Sequence, residues 1–366
     1  MAARAGARSL SWCGPLFDAG ARRWCDCRCC PRPYIKPIRT INATMTPTCP
    51  RVLSLRESGR QMPRLSSFAT VVFVILVVSL AAGCSVRKFA ATRVGNVLAE
   101  SGSVYASDDD PALVSAALPF GLKTMEGLLV EVPNHRGLLI ATASGFTQFA
   151  YAFVDLPAFA LEETQPRRSR ELRLRAKKLY LRGRNYGVRA LELREPGFPG
   201  KLRQDPKSAL AVFKAENVPE LYWTAVSWSA AIATDKQDMD LLADLDLISP
   251  MIDRCLELDE DFDQGAIHAF LITFYGSRSA AQGGSVEKAR EHFERAIELA
   301  SGNKVGPLVS LAESVSVPLQ NRQEFVALLR QALAFDVDTA PEHRLANLIA
   351  QRRAAVLLSR IDDFFI

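Results

Sequence analysis

The clearest pattern in this chain is an apolar residue recurring at helical spacing among charged ones. Residues 168–194 carry such residues seven positions apart between arginines: Leu172, Leu179, Tyr186 and Leu193. Residues 285–300 place Ala289, Phe293 and Ala296 on one face, behind a serine suited to cap a helix. These spacings predict amphipathic α-helices, and strand-like alternation is nowhere sustained. We therefore predict an all-α protein, with helices ending where Pro and Gly gather, at 196–200, 276–284 and 302–307.

A degenerate repeat underlies this helical pattern. Five segments place a small residue before a large aliphatic one, and the small residues are Gly127, Ala190, Cys255, Ala296 and Ala332. The run from Ala289 through Phe293 to Ala296 matches the close-approach position in the second helix of a tetratricopeptide (TPR) repeat. The small residues lie 63, 65, 41 and 36 positions apart, against about 34 in an ideal repeat. We predict a compact, degenerate TPR-like array of helical hairpins over 113–366, with a generic helical bundle as the alternative.

The most apolar run, 68–80, lies near the N-terminus and has three possible interpretations. Its thirteen residues are too few for a membrane span, which needs roughly 20. Its β-branched residues leave no polar face for a buried helix. The length and the preceding Arg60 and Arg64 are typical of a signal peptide. We predict that residues 62–83 are such a peptide.

The end of that run indicates which kind of signal peptide is present. The segment LAAGC at 80–84 resembles the bacterial lipobox, in which the cysteine is acylated and the chain is cut just before it. The usual leucine lies one position further from the cysteine than in the standard motif. We predict a lipoprotein with Cys84 as the lipidation site, rather than an ordinary secretory signal or a retained anchor. Residues 84–112 are then the tether and N-terminal segment, and Ser85 slightly favours the outer membrane.

The residues upstream of the leader carry most of the cysteine and the positive charge. Residues 1–61 hold six of the eight cysteines, including CDCRCC at 25–30. A zinc site would need a second ligand pair, so we interpret this segment as disordered upstream sequence read from a mistaken start codon. The whole chain has a net charge of +5, whereas residues 84–366 carry 33 Lys and Arg against 37 Asp and Glu. A mildly acidic domain gives no reason to expect a nucleic-acid partner.

Seven segments, in order and with consistent spacing, carry a family resemblance. They are LPFGLKTMEGLL, GLLIATASGFTQFAYAF, AKKLYLRGRNYGVRALELREPGF, LYWTAVSWSAAI, LDEDFDQGAIHAFLITFYGSR, HFERAIELASG and RLANLIAQRRAAVLLSRIDD. From about Leu118 to Phe364 the chain resembles the T component of TPR-associated TRAP transporters, the tripartite ATP-independent periplasmic solute transporters. No one segment is a chemical signature, but their ordered combination is specific.

The resemblance implies a non-enzymatic accessory subunit, anchored by lipid in the bacterial periplasm. The resemblance implies a TPR-like lipoprotein that forms trimers and docks a periplasmic solute-binding protein. That solute-binding protein in turn feeds the TRAP permease. A channel through the helices would bring ligand to that partner. The apolar C-terminal tail, 364–366, adds to the expectation of a homotrimer, because such a tail needs cover. The alternative is a generic TPR scaffold lipoprotein for cell-envelope assembly.

The residues themselves give no sign of catalysis or metal binding. Catalysis needs a nucleophile, a base and an orienting group close together. The histidines after Cys84 form no H-E-x-x-H or similar pairing, and they are His135, His268, His292 and His343. The carboxylates at 259–263 lack the spacing of a calcium-binding loop. We expect no catalytic residues, no metal and no cofactor.

Two aromatic clusters and a pair of amides are the candidates for lining a ligand cavity or channel. The first cluster comprises Phe146, Gln148, Phe149 and Tyr151, and the second comprises Tyr222, Trp223 and Trp228. Ligand cavities are mostly apolar with a few placed polar groups, but aromatic residues at helical spacing are also typical of a plain core. Asn347 and Gln351 share one face of the C-terminal helix. They either line a channel or bind buried backbone groups, and the sequence leaves both alternatives open.

Overall fold

The computed structural model describes residues 86–366 together with Val72. Residues 86–366 belong to one compact unit, Leu65–Ile366. The regular structure within 86–366 is helical throughout and contains no strand, which confirms the all-α prediction. The upstream segment 1–61, the signal peptide (Val72 apart) and the lipidation site Cys84 lie outside the described residues.

The helices fall into an N-terminal and a C-terminal series. The N-terminal series is α1 (86–100), α2 (Gly102–Ala106), α3 (Pro111–Glu131), α4 (Arg136–Ala150), α5 (Leu156–Ala160), α6 (Pro166–Glu192), α7 (Phe198–Gln204), α8 (Pro206–Ala211) and α9 (Val218–Thr234). The C-terminal series is α10 (Met239–Leu242), α11 (Ile248–Leu258), α12 (Ala266–Gly276), α13 (Val286–Leu299), α14 (Gly306–Leu311), α15 (Arg322–Ala334), α16 (Arg344–Ser359) and α17 (Ile361–Phe364). Two π-helices, Tyr151–Asp155 and Ala312–Ser316, continue α4 and α14.

Helix α6 lies between α4 and α9, and glycines allow the three to approach closely. A Cβ atom added to Gly183 would lie 2.7 Å from Thr147 Oγ1, and one added to Gly187 would lie 3.2 Å from the Thr224 Cα atom. The hydroxyls of Thr147 and Ser227 are 2.6 Å apart and share a hydrogen bond across the same contact. The residues of α6 that face the core are therefore mostly small, and Leu193 of the predicted stripe is 42% exposed.

Four of the five small residues of the predicted repeat are close-packed. Ala190, Cys255, Ala296 and Ala332 are all buried, and Ala296 with Ala289 packs α13 against α12. Gly127 differs, because it is exposed and a Cβ there would meet nothing within 4 Å. The weakest copy of the repeat is thus not a packing position. The TPR-like arrangement stays a prediction.

The two phenylalanines of the apolar C-terminal tail, Phe364 and Phe365, pack on the protein's own core, whereas Ile366 is fully exposed. The Phe365 ring packs edge-on against Phe325, with 5.1 Å between the ring centroids. The Gln320 side chain donates to the Phe364 carbonyl at 2.9 Å and accepts from the Ile366 amide at 3.1 Å. The two phenylalanines therefore do not require a neighbouring subunit for cover, and the expectation of a trimer loses most of this part of its support.

Among residues 86–366, two helical stretches are long and apolar enough to cross a membrane, Pro111–Glu131 and Arg136–Ala160. In their most apolar windows, 28% and 50% of the residues are buried inside the protein. Core helices share this composition, so length and hydropathy alone are a weak indication of a membrane span.

Candidate functional site

A cavity of about 770 Å³ opens between α1, α2, α3, α4, the first π-helix and the start of α16. Its walls are mainly apolar, and the larger side chains are Leu98, Leu118, Leu122, Met125, Ile140 and Ile349. Two glycines help to hollow out the space. Gly121 and Gly145 present no side chain to it, and a Cβ on Gly145 would come within 2.7 Å of Leu122 Cδ2.

The α3 and α4 walls are fixed by local capping. The Asp110 carboxylate accepts from the amides of Ala112 and Leu113 at 2.8 and 3.0 Å, and Pro111 occupies the first helical turn. These contacts satisfy backbone donors at the start of α3. The His135 ring caps α4 in the same way, accepting from the Leu138 amide at 3.1 Å.

The α1–α2 wall is held in place by hydrogen bonds to α4 and α16. The His135 ring hydrogen-bonds to Asn96 of α1 at 2.8 Å, and Arg344 donates to the Ser107 carbonyl at 2.9 Å. Helix α2 has no buried residue.

One ion pair borders the cavity near the start of α4. Arg136 donates through Nε to the Glu220 carboxylate and through Nη2 to the Glu216 carbonyl. The Glu220 side chain is only 2% exposed, so the Arg136 charge is needed to compensate a buried carboxylate. Glu100 and Glu216 also line the cavity.

The π-helix Tyr151–Asp155 forms the opposite end of the cavity. Tyr151 is 45% exposed and lines the cavity with Ala152 and Phe153. The Asp155 carboxylate accepts from the Tyr180 hydroxyl at 3.2 Å, and burial raises its pKa. Desolvation by the surrounding protein likewise raises the pKa of Tyr151, even though almost half of the residue's surface is exposed.

A buried guanidinium lies close to this end of the cavity. Arg353 of α16 pairs with Glu313, donating through Nε at 3.1 Å, and its guanidinium lies 3.6 Å above the Phe159 ring centroid. Arg353 and Glu313 are near enough to Tyr151 and Asp155 to influence their pKa values.

Of the first predicted cluster, Gln148 and Tyr151 line the cavity. Phe146 and Phe149 lie in the hydrophobic core formed by α4, the π-helix and α6. There the Phe146 ring stacks against Tyr186, with 6.2 Å between the ring centroids. The structure thus separates residues that lie only a few positions apart.

The second predicted cluster does not line this cavity. Tyr222 and Trp228 are buried in the core around α9 and α11, and Trp223 packs against the same core. The Tyr222 hydroxyl donates to the Ala266 carbonyl at 3.2 Å, and Trp228 Nε1 donates to Asp244 at 3.2 Å. Their polar atoms therefore bind neighbouring protein groups.

Asn347 and Gln351 also lie outside the cavity lining, and both bind backbone groups. Asn347 accepts from the Val305 amide at 3.0 Å and donates to the Asn303 carbonyl at 2.8 Å. Gln351 donates to the Ala332 and Phe335 carbonyls at 3.1 and 2.8 Å, beyond the last turn of α15. These contacts agree with the alternative in which the two side chains bind buried backbone groups and do not line a channel.

Several cavity residues were not singled out from the sequence, among them Tyr105, Arg136, Glu100 and Glu216. Others do lie in segments that carry the family resemblance, including Leu118, Gly121 and Met125 in LPFGLKTMEGLL. Those segments were the available signal for the α3 and α4 walls. No local pattern distinguishes Tyr105 or Glu216 from ordinary exposed residues.

Within 86–366, no group of three or more His, Cys, Asp or Glu side chains could hold a metal ion. The two histidines that do meet are His268 and His292, with 2.9 Å between their Nδ1 atoms. They lie in the α12–α13 hairpin, away from the residues that line the cavity.

By its fold and its cavity, the molecule is an all-α protein with a large, mainly apolar cavity of the kind that holds a small molecule. A family model described as TRAP transporter T-component matches residues 107–365, and the chain belongs to that family. A protein of Treponema pallidum (strain Nichols), printed as "Uncharacterized protein", is 31% identical over 305 residues, which is 78% of this chain and 94% of that relative.

Membership makes this protein an accessory component of a TRAP transporter, with a periplasmic or cell-envelope location. The family is one of transporter accessory subunits and is not known for enzymatic activity.

Proposed function

We propose that this protein is a periplasmic lipoprotein that docks the solute-binding protein of its TRAP transporter and passes ligand to it, the partner then feeding the permease. The observation that carries this proposal is the 770 Å³ cavity, which has mainly apolar walls and a few polar groups. Such a lining suits transient holding of a small molecule. In this proposal, acylation of Cys84 tethers the protein to a membrane, most favourably the outer membrane.

The exposed apolar face of α3 supports association with a second protein surface. This face comprises Leu113, Phe120 and Val130, all largely exposed, and it runs along the helix whose other side lines the cavity. Exposed apolar patches of this kind mark interaction sites. We propose a homotrimer as well as the solute-binding partner.

The test measures self-association and partner binding separately. Light scattering of the purified protein should give a trimer, and calorimetry with the solute-binding protein encoded beside it should detect binding at micromolar concentration. Phe120→Glu should weaken one or both associations, because it places a charge on the apolar face of α3. Met239→Glu is the matched control, since Met239 is equally exposed at the start of α10.

A monomer that ignores this partner at micromolar concentration would overturn the proposal and favour the envelope-assembly scaffold. Lipid attachment has its own test. Expression in a bacterium should give a lipid-labelled, shortened chain, and Cys84→Ser should abolish both changes. Equal labelling of the variant would contradict the lipoprotein prediction.

A further inference from the structure

We propose that the cavity takes an amphipathic ligand with a positively charged head group, such as an alkylamine or quaternary ammonium compound, and disfavours carboxylates. The proposal rests on the proposed function, since it names the class of ligand that the protein would pass on. The proposal rests on the groups that meet around the apolar walls of the cavity. They are two carboxylates without ion-pair partners, three aromatic rings, and one guanidinium whose charge is already balanced by a buried carboxylate.

The cavity offers no free positive charge to an anionic head group. Arg136 is the one Lys or Arg among the described residues that line it. Its charge is compensated by the buried Glu220 carboxylate, and its Nη2 is bonded to the Glu216 carbonyl. An anion that drew Arg136 away would leave Glu220 buried and unpaired, which is strongly unfavourable. An anion at the remaining Nη1 would meet a charge that Glu220 already compensates.

The histidine in the wall is also fully engaged. His135 Nδ1 accepts from the Leu138 amide, which places the ring proton on Nε2. That Nε2 then donates to the Asn96 carbonyl oxygen at 2.8 Å. Both ring nitrogens are thus occupied by protein groups, and neither is available to a carboxylate.

Negative charge, by contrast, is available on two sides of the cavity. Glu100 lies at the end of α1 and Glu216 lies before α9, and both line the cavity. Neither has an ion-pair partner among residues 86–366. Behind Tyr151 and outside the lining, Glu313 is paired with Arg353, and Asp155 accepts from the Tyr180 hydroxyl near Arg173 and Arg353, so neither carboxylate adds free charge to the cavity. Clefts lined by one sign of charge between low-dielectric walls concentrate the opposite charge.

Aromatic rings complete the recognition of a cation. Tyr105 comes from α2, and Tyr151 and Phe153 come from the π-helix, and all three line the cavity. The faces of aromatic rings attract ammonium groups, including quaternary ones. The Leu, Met and Ile side chains of the walls would cover the alkyl part of the same molecule.

The experiment compares two probes of equal chain length, decyltrimethylammonium and decanoate, titrated calorimetrically into the purified protein below their micelle-forming concentrations. Decyltrimethylammonium should bind about tenfold more tightly than decanoate. Glu100→Gln with Glu216→Gln should weaken its binding by about five- to tenfold and leave decanoate unchanged or improved. Glu291→Gln with Glu294→Gln is the matched control, because it removes the same charge from exposed positions of α13 and should change neither affinity.

Ala141→Phe provides a second variant, because it fills the cavity from α4 and should reduce binding of both probes. Decanoate binding as tightly as decyltrimethylammonium, or no binding of either probe, would overturn the proposal. An equal loss of decyltrimethylammonium binding in the α13 control would also overturn the proposal. It would show that the probe is attracted by the overall charge of the protein and not by the cavity. Partner binding is measured on the same variants. A protein that docks its partner without head-group selectivity refutes only this inference, whereas selectivity without docking refutes the proposed function.

Discussion

Helices α3 and α6 are the two longest helices that contact α4, and their glycines lie in different surroundings. In α6, Gly183 and Gly187 lie directly against the threonines of α4 and α9. In α3, Gly127 is exposed and has nothing near it. One helix is buried along a line of small residues, while the other has one side on the cavity and another on solvent. A glycine within a helix therefore indicates close packing only where a neighbouring helix is present to use it.

The α12–α13 hairpin and the cavity wall differ in the same way, because the first is close-packed and the second borders open space. Ala296 is buried, and its Cα atom would lie 3.3 Å from a Cβ added to Gly265. Ala141 lies on α4 with one side on open space. Close packing fixes the helices that support the site, and the site itself keeps the space unfilled.

The largest expected effect comes from placing the same large side chain in both regions. Ala296→Phe should lower the free energy of unfolding by about 3 kcal/mol, because the ring overpacks the α12–α13 contact. Ala141→Phe should cost below about 1 kcal/mol, because its ring enters the cavity. Glu294→Ala, at an exposed position of α13, should stay within about 0.5 kcal/mol. Urea denaturation measures all three, and coinciding midpoints for the two phenylalanine variants would contradict the contrast.

A smaller effect, of opposite sign in the two helices, is expected for alanine in place of glycine. Gly187→Ala should lower the free energy of unfolding by about 2 kcal/mol, because the added methyl group would clash with Thr224. Gly127→Ala should raise it by about 0.5 kcal/mol, because alanine favours the helix and meets nothing. In thermal melts, a Gly187→Ala variant as stable as the parent would show that α6 is not close-packed there, and a destabilised Gly127→Ala variant would contradict the open position of Gly127.

The smallest expected effect concerns pH and the histidine pair in the close-packed hairpin. Burial, the neighbouring His268 and Lys288 together lower the pKa of His292 to about 4. Burial also lowers the pKa of His268, against the opposing effect of Glu260. Arg295, which holds Glu260 at 2.7 Å, adds a further positive charge beside the pair. Protonating both rings would place two cations in contact across α12 and α13.

Because the folded pKa of His292 is below its unfolded value, the unfolded chain binds the extra proton first as the pH falls. The stability should therefore be highest above about pH 6.5 and decline towards pH 4. We expect a loss of just under ~2 kcal/mol between pH 7 and pH 5. His292→Gln should flatten this part of the curve, and urea titrations at several pH values would show it. An unchanged slope in the variant would contradict this role of the pair.

The helices and their buried faces could be predicted because their signals are local. Ala289 and Ala296 are buried as their spacing predicts, and the gathered Pro and Gly residues lie where helices end or begin. The cavity could be predicted only in part, because its walls come from elements far apart in the chain. Gln148 lines it while Phe149, its neighbour, is buried in the core. Which side of α4 faces the cavity is decided by α6 and α3, and not by the run of aromatic residues itself.

The polar candidates show a second limit of prediction from sequence. An amide at helical spacing looks the same whether it faces a ligand or a backbone carbonyl. The bonds made by Asn347 become visible only when the Val305 and Asn303 backbone groups are placed beside it. The charged residues of the cavity pose the same difficulty, since Arg136 and Glu220 lie 84 positions apart in the chain.

The π-helix that carries Tyr151 shapes the aromatic end of the cavity. A π-turn holds one residue more than the α-turn it replaces, so it corresponds to a single-residue insertion within α4. That extra residue lets Tyr151, Ala152 and Phe153 all reach the cavity, where a regular helix would turn one of them away. Deleting one residue there should convert the π-helix into a regular α-turn and turn one of the three residues away from the cavity. The aromatic end of the cavity therefore depends on a single backbone residue in the first π-helix.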